Sequence, residues 1–209
     1  MLEVDPPGLD VAAGRRWLRN ADHARVLAKA VRQQEAAPVF LVGHSLGGLV
    51  ALRLALDQPE LVAGLLLLDP SPLMPAMLPA QLLRPIGRLR GKLRHMRPFA
   101  SRATTPRRPR AARLAERLWW YLVLDGGALA ADLCATGLRG LPTIVISAAE
   151  HGSDGVTRAT HERIVSWIPG ARLEIWPDTT HGLQVERPAA VAETILSLAE
   201  QVRSEPPAA

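Results

Sequence analysis

The pentapeptide Gly43-His44-Ser45-Leu46-Gly47 combines a candidate nucleophile with the backbone geometry that such a nucleophile needs. It follows a β-favouring run and precedes a helix-favouring run, so Ser45 is expected at the tip of a tight strand-to-helix turn. Glycine on both sides removes side chains that would collide within that turn. The Leu46 N–H, at the positive end of the helix dipole, would stabilise an anion on a substrate. The pattern predicts that Ser45 attacks an acyl carbon.

A serine hydroxyl is a weak nucleophile at neutral pH, so this chemistry requires a histidine that accepts its proton. His181 fits best among the six histidines, because it follows the last predicted strand and should lie at the sheet edge that also carries Ser45. His44 lies inside the turn and is expected to point away from Ser45. Three others lie on predicted helices or in a basic segment: His23, His161 and His95.

The elements around these residues alternate between strand and helix patterns, which is typical of a mostly parallel sheet flanked by helices. The fold class is therefore predicted to be α/β. Helical patterns cover roughly residues 20–36, 46–58, 155–167 and 188–203, and strand patterns cover 38–42, 64–70, 142–147 and 171–176.

The alternation stops between residues 71 and 140, where prolines separate short helical pieces. We expect one core domain built from 1–70 and 141–209, with 71–140 inserted between its strands. Residues 71–115 hold 11 Arg or Lys and no Asp or Glu, which could attract an acidic partner. Nucleic acid is not expected as a partner, because aromatic residues for base stacking are not interleaved with these charges.

Composition excludes several classes of protein. A 209-residue chain with 48% hydrophobic residues is expected to fold as one globular domain, and its single cysteine rules out an intrachain disulfide. The N-terminus lacks the basic and apolar segments of a secretory signal, and no apolar run approaches the roughly 20 residues of a membrane helix. We therefore expect a cytoplasmic protein without a transmembrane segment. The oligomeric state is not indicated.

No cofactor or metal is expected. His, Asp and Glu residues do not occur at the spacing of metal ligands along the chain. The glycines of the Ser45 turn are not followed by the Lys and Ser/Thr of a phosphate-binding loop. The expected partner is a small acyl substrate.

Four segments in chain order carry a recognisable pattern: Val42-Gly43-His44-Ser45-Leu46-Gly47-Gly48, Leu65-Leu66-Leu67-Leu68-Asp69-Pro70, Leu141-Pro142-Thr143-Ile144-Val145-Ile146, and His181-Gly182 with Glu186-Arg187-Pro188. With them the chain resembles the α/β-hydrolase superfamily over most of residues 38–200. The resemblance implies an esterase- or lipase-like serine hydrolase that cleaves a carboxylic ester or related acyl compound through an acyl-enzyme. Ser45 would be the nucleophile, His181 the base and Leu46 N–H an oxyanion donor, under a helical lid at 71–140.

The carboxylate that would orient His181 stays open. Relatives usually place an aspartate shortly after the third of these strands, in a Gly-x-x-Asp setting, whereas this chain has His151 in that register. Three carboxylates could serve instead: Asp154 in the same loop, Glu150 nearer the strand end, and Asp69 at the end of the preceding strand, a location that some relatives use.

The resemblance also implies an incomplete sheet. Leu2–Val4 is similar to the family's fourth strand, and nothing before Ser45 resembles the loop that supplies the second oxyanion N–H. The family's third strand would lie beside Val39–Val42, so its absence would leave an exposed sheet edge. We therefore expect an N-terminally truncated α/β-hydrolase-like fold that is a weak catalyst, since one missing oxyanion donor costs about 10²- to 10³-fold in rate.

Other functions remain open at this point. Cofactor-free haloperoxidation and carbon–carbon bond hydrolysis are the nearest rival reactions on the same fold. A non-catalytic, degenerate hydrolase-fold protein that binds an acidic partner through its basic insertion is the alternative from a different class. The substrate is not indicated, because the lid and pocket walls determine it.

Overall fold

The computed structural model describes residues 19–35, 37–73, 125–152 and 155–204. The predicted insertion is thus described only at its two ends, 71–73 and 125–140, and the prediction of a lid falls mostly outside the described residues.

Four parallel strands form a single sheet within the described residues, and their spatial order equals their order in the chain. This arrangement confirms the predicted α/β class. The strands are β1 (Val39–His44), β2 (Val62–Leu68), β3 (Thr143–Ala148) and β4 (Arg172–Trp176). The helices are α1 (Asn20–Gln33), α2 (Leu46–Asp57), α3 (residues 125–136), α4 (Val156–Trp167), α5 (Leu183–Glu186) and α6 (Pro188–Ser204), with 3-10 turns at Pro59–Leu61 and Ala149–His151.

Both faces of the two central strands are buried, which explains their continuous apolar runs. Side chains that alternate along β2 divide between two clusters. One cluster packs against α1, α2 and α3, and the other packs against α5 and α6. The first includes Leu49, Leu52, Leu65, Leu67 and Leu133, and the second includes Leu66, Leu68, Ile144, Ile146, Leu183 and Leu198. Each such leucine or isoleucine contributes about 1.5–3 kcal/mol on burial, so the strand ends that carry the site rest on the best-packed part of the fold.

The predicted strand boundaries need one correction. The pattern places Asp69 and Pro70 within the second strand, but β2 ends at Leu68. Asp69 adopts a positive φ of 45°, which no strand residue can have. The chain therefore turns at Asp69, directly at the carboxyl edge of the sheet.

Strand β1 lies at one edge of the sheet. Among the described residues it pairs only with β2, and Val42 is 45% exposed there. Leu2–Val4, which the resemblance likens to a further strand, lies outside the described residues, so the predicted open edge stays a prediction.

None of the helices in the described ranges is both long and apolar enough to cross a membrane.

Candidate active site

Ser45 lies between β1 and α2 in a strained conformation, with φ 54° and ψ −118°. A non-glycine residue with positive φ outside the left-handed helical well costs about 1–3 kcal/mol. Hydrogen bonds hold the turn in this state. The Ser45 N–H donates to the Leu68 carbonyl at 3.1 Å, and the Ser45 carbonyl accepts the N–H groups of Gly48 and Ser71 at 3.1 and 2.9 Å. The turn is thereby tied to the end of β2.

The glycines of the turn have unequal roles. A Cβ on Gly43 would lie 2.6 Å from the Gly47 carbonyl oxygen, and one on Gly48 would lie 2.8 Å from the Pro70 Cβ. A Cβ on Gly47 would meet nothing within 4 Å. The prediction that both flanking glycines avoid a collision is therefore right at Gly43 and wrong at Gly47, because the close approach on the helix side occurs one residue later.

Leu46 is the first residue of α2. Backbone N–H groups in the first turn of a helix have no intrahelical acceptor, and the helix dipole places partial positive charge there. The Leu46 N–H adjoins Ser45 and can therefore donate to an oxygen anion formed on a substrate at that residue.

Asp69 is the carboxylate at the centre of the site, and its side chain is fully buried. Oδ1 accepts the Ala148 N–H at 3.0 Å. Oδ2 accepts from two imidazoles, the His151 Nε2 at 2.7 Å and the His181 Nδ1 at 2.5 Å. Three strand ends, those of β2, β3 and β4, thus meet at one carboxylate.

The pKa of Asp69 lies well below its usual value. Burial acts to raise this pKa, but hydrogen bonds and charge from His151 and His181, together with the Ala148 N–H, outweigh that effect. The carboxylate is therefore ionised at neutral pH and acts only as an acceptor, so both bound imidazole nitrogens carry a proton.

His181 is held at its backbone as well as at its ring. Its N–H donates to the Glu150 Oε1 at 2.8 Å, and its carbonyl accepts from the His44 Nε2 at 2.7 Å. With Nδ1–H bound to Asp69, the remaining ring nitrogen, Nε2, is the unprotonated one in the neutral ring. His181 therefore presents the nitrogen that can accept a proton.

The three candidate carboxylates have different positions. Asp69 binds the His181 imidazole, Glu150 binds the His181 backbone N–H, and Asp154 lies outside the described residues. His151, in the register where relatives carry aspartate, donates to Asp69.

His44 contacts His181 rather than Ser45. Its Nε2–H donates to the His181 carbonyl, its Nδ1 accepts from the Gln184 amide at 3.3 Å, and the two histidine rings lie 4.6 Å apart. Burial lowers the pKa of His44, and the charge of His181 lowers it further. A neutral His44 thus links the Ser45 turn to the loop that carries His181, a contact between residues 137 positions apart that the sequence pattern does not reveal.

Ser71 is a further residue that the sequence pattern does not single out. Its side chain is buried, and its Oγ lies 3.2 Å from the Ser45 Oγ. Within the described part of the chain, this is the hydrogen bond of the Ser45 hydroxyl, and none joins it to His181. The hydroxyl groups of Ser45 and Ser71 therefore lie side by side at the turn between β1 and α2.

Asp69, His151 and His181 also offer one carboxylate oxygen and two imidazole nitrogens within 4.8 Å of one another. Such a donor set suits a divalent transition metal. Ligand spacing along the sequence does not reveal this group, because the fold joins residues that lie 82 and 112 positions apart. Both nitrogens, however, donate hydrogen bonds to the same oxygen, Asp69 Oδ2, so these three atoms already have hydrogen-bond partners within the cluster.

Residues 2–194 of the chain match the alpha/beta hydrolase family. The chain belongs to this family. Three features agree with the family resemblance of the sequence: the parallel sheet, the turn at Ser45 and the histidine after the last strand.

Individual relatives of this α/β hydrolase match over shorter stretches. Lipase LipV of Mycobacterium tuberculosis is 51% identical over 55 residues, which are 26% of this chain and 21% of that protein. Esterase Rv0045c of the same organism is 38% identical over 76 residues, which are 34% of this chain and 24% of that protein. The chain thus matches less than a quarter of the length of either relative.

Solved structures support the fold. The peroxisomal alpha-beta-hydrolase Lpx1 of Saccharomyces cerevisiae superposes with a TM-score of 0.62 over 92% of this chain and 64% of that chain. The sequence identity is 21%, so this likeness concerns the fold alone.

Proposed function

We propose that this α/β hydrolase is a serine hydrolase that cleaves a carboxylic ester or a related acyl compound through an acyl-enzyme on Ser45. One observation carries the proposal. The His181 Nδ1 binds a buried, ionised Asp69 at 2.5 Å, which leaves Nε2 as the proton acceptor at the sheet edge where Ser45 occupies its strained turn.

The reaction follows from these groups. Ser45 Oγ turns from Ser71 to His181, a side-chain rotation, and gives its proton to Nε2 while Oγ bonds to the acyl carbon. The carbonyl oxygen becomes an anion beside the Leu46 N–H. His181 then protonates the leaving alcohol, and a water molecule, deprotonated by the same nitrogen, releases the acid and regenerates Ser45. Asp69 stabilises the imidazolium in both halves of the reaction.

The proposal includes a lid formed by residues 71–140. Ser71, at the start of this segment, lies beside Ser45, and Leu73 packs close to Gly126 at the other described end. Gly126 also approaches Leu49 of α2. Both described ends of the segment therefore lie near Ser45 or the helix that follows it, which supports a lid attached beside the nucleophile.

The test is covalent labelling of the full-length chain with a fluorophosphonate, followed by mapping of the labelled peptide. We expect labelling at Ser45, its loss in Ser45→Ala, and its retention at Ser45 in Ser71→Ala. Ser166→Ala, on the exposed surface of α4, is the control for serine removal as such. Label that persists in Ser45→Ala, or that maps to Ser71, would refute the assignment of the nucleophile.

Turnover of a p-nitrophenyl ester completes the test. We expect hydrolysis that Ser45→Ala abolishes, because the proposed acyl-enzyme forms on the Ser45 hydroxyl. Equal ester turnover by the unaltered chain and by Ser45→Ala would show that the activity does not arise at this site.

A further inference from the structure

His151 has no part in the reaction described above, yet its side chain is largely covered within the site. It ends the 3-10 turn Ala149–His151 after β3, and only 8% of its side chain is exposed. Its Nε2–H donates to Asp69 Oδ2, whereas its Nδ1 is buried without a hydrogen-bond partner in the described residues. A ring nitrogen buried in this way destabilises a fold. The contact that offsets this cost is the hydrogen bond from Nε2–H to Asp69.

The carboxylate of Asp69 depends on His151 for its orientation. Without that residue, the remaining donors would be the Ala148 N–H on Oδ1 and the His181 ring on Oδ2. Oδ2 would then be held only by the ring that the carboxylate has to orient, and a carboxylate fixed by the backbone at Oδ1 alone can tilt about that contact. The His151 N–H fixes the second oxygen independently of His181.

His151 is itself in contact with a second fixed ring. The rings of His151 and His161 meet edge to face, with centroids 6.2 Å apart. His161 is fully buried, donates Nε2–H to the Pro70 carbonyl at 2.8 Å and pairs through Nδ1 with the Ser147 hydroxyl at 2.9 Å. The ring that contacts His151 is therefore tied to the peptide next to Asp69.

We propose that His151 is a positioning residue, which holds the Asp69 carboxylate in the orientation that accepts the His181 Nδ1–H. It occupies the register where relatives carry their acid. In this chain the carboxylate follows β2, and the residue that follows β3 donates a hydrogen bond to it. The inference rests on the proposed function, since it concerns how the base of that reaction is oriented.

The test compares His151→Phe, which keeps a ring but no donor, with His151→Gln, whose amide Nε2 can reach the same carboxylate. We expect kcat for a p-nitrophenyl ester to fall about 10- to 100-fold in His151→Phe, as it does when supporting residues are removed from other sites. KM should stay within about twofold, because the His151 side chain is only 8% exposed and is proposed to act through Asp69. His151→Gln should recover most of the lost kcat.

Several results would overturn the inference. One is a His151→Phe variant with the parent kcat. Another is a His151→Gln variant that folds like the parent but is as slow as His151→Phe, since donation to Asp69 would then not matter. If His151→Phe does not fold, ¹⁵N spectra of the histidine side chains in the unaltered chain decide: protonation of His151 at Nε2 supports the inference, and protonation at Nδ1 alone refutes it.

The two proposals can fail separately. Fluorophosphonate labelling that persists in Ser45→Ala removes the proposed nucleophile, whatever His151 does. Labelling that is lost in Ser45→Ala, together with an unchanged rate in His151→Phe, removes only the role of His151.

Discussion

At the scale of residues, the site is built around one buried carboxylate that serves several donors. Asp69 receives N–H groups from Ala148, His151 and His181, and it does so from a backbone conformation with positive φ. Glu150 takes a different part, since it binds the backbone N–H of His181. These contacts assign Asp69 to the orientation of the imidazole and Glu150 to the placement of the loop.

This division of roles predicts different losses on neutralising the two carboxylates. In Asp69→Asn the amide can donate to His181 and favour the wrong tautomer, so kcat should fall on the order of 10⁴-fold. Glu150→Gln keeps an oxygen that can accept the His181 N–H, so its kcat should fall far less. Ester hydrolysis by the folded variants measures both, with Glu162→Gln on the exposed face of α4 as the remote control. An Asp69→Asn variant that kept a tenth of the parent kcat would exclude Asp69 from the reaction.

At the scale of elements, the end of β1 and the start of α2 approach each other too closely for a side chain at some positions. Gly43 faces the Gly47 carbonyl and Gly48 faces Pro70, whereas Gly47 faces open space. The sequence identifies this turn because the spacing of its glycines is local. It does not reveal which glycine is sterically required, because the contact at Gly48 comes from Pro70, beyond the end of β2.

Gly43 and Gly47 therefore predict opposite effects of the same substitution. Gly43→Ala would force backbone apart and should lower the free energy of unfolding by about 1–3 kcal/mol. Gly47→Ala lies in α2 with room for a methyl group, and it should raise the free energy of unfolding by about 0.5–1 kcal/mol, because alanine favours helix. Urea unfolding of both variants measures the difference. A Gly47→Ala variant as unstable as Gly43→Ala would contradict the packing described for the turn.

The same distinction explains how much of the site the sequence predicts. The parallel sheet, Ser45 and His181 follow from local patterns: apolar runs, a glycine-flanked serine and a histidine after the last strand. The sequence leaves three carboxylates open as the partner of His181 and does not choose among them, because Asp69 is 112 residues away and reaches the imidazole only through the turn that ends β2. His44, Ser71 and His151 contact the site for the same reason, since adjacent parallel strands bring their carboxyl ends to one edge.

At the scale of the whole molecule, the fold keeps three histidines neutral: His23 and His161, which are buried, and His44, which is partly buried. Burial is the main cause that lowers the pKa values of His23, His44 and His161. For His161 the hydrogen bond to the Pro70 carbonyl opposes this effect without cancelling it. In the unfolded chain, each histidine returns to a pKa of about 6.5.

The sign of the resulting pH dependence can be derived from these shifts. Below about pH 6.5 the unfolded chain binds protons that the folded protein does not, so stability falls with falling pH. Fully buried His161 contributes at most about 1.4 kcal/mol per pH unit until its own lowered pKa is reached. Asp69 acts in the same direction at lower pH: its depressed pKa stabilises the fold above about pH 4, and this contribution is lost as the pH falls further.

We therefore expect the urea midpoint to decrease steadily from pH 7 to pH 5, before carboxylates titrate. His161→Gln keeps an amide that can donate to the Pro70 carbonyl but cannot titrate, so the slope of stability against pH over this interval should be smaller than in the parent. A slope that is unchanged in His161→Gln would mean that His161 is not held neutral. A midpoint that rises on acidification would contradict the lowered pKa values of all three rings, because protonation would then favour the folded state.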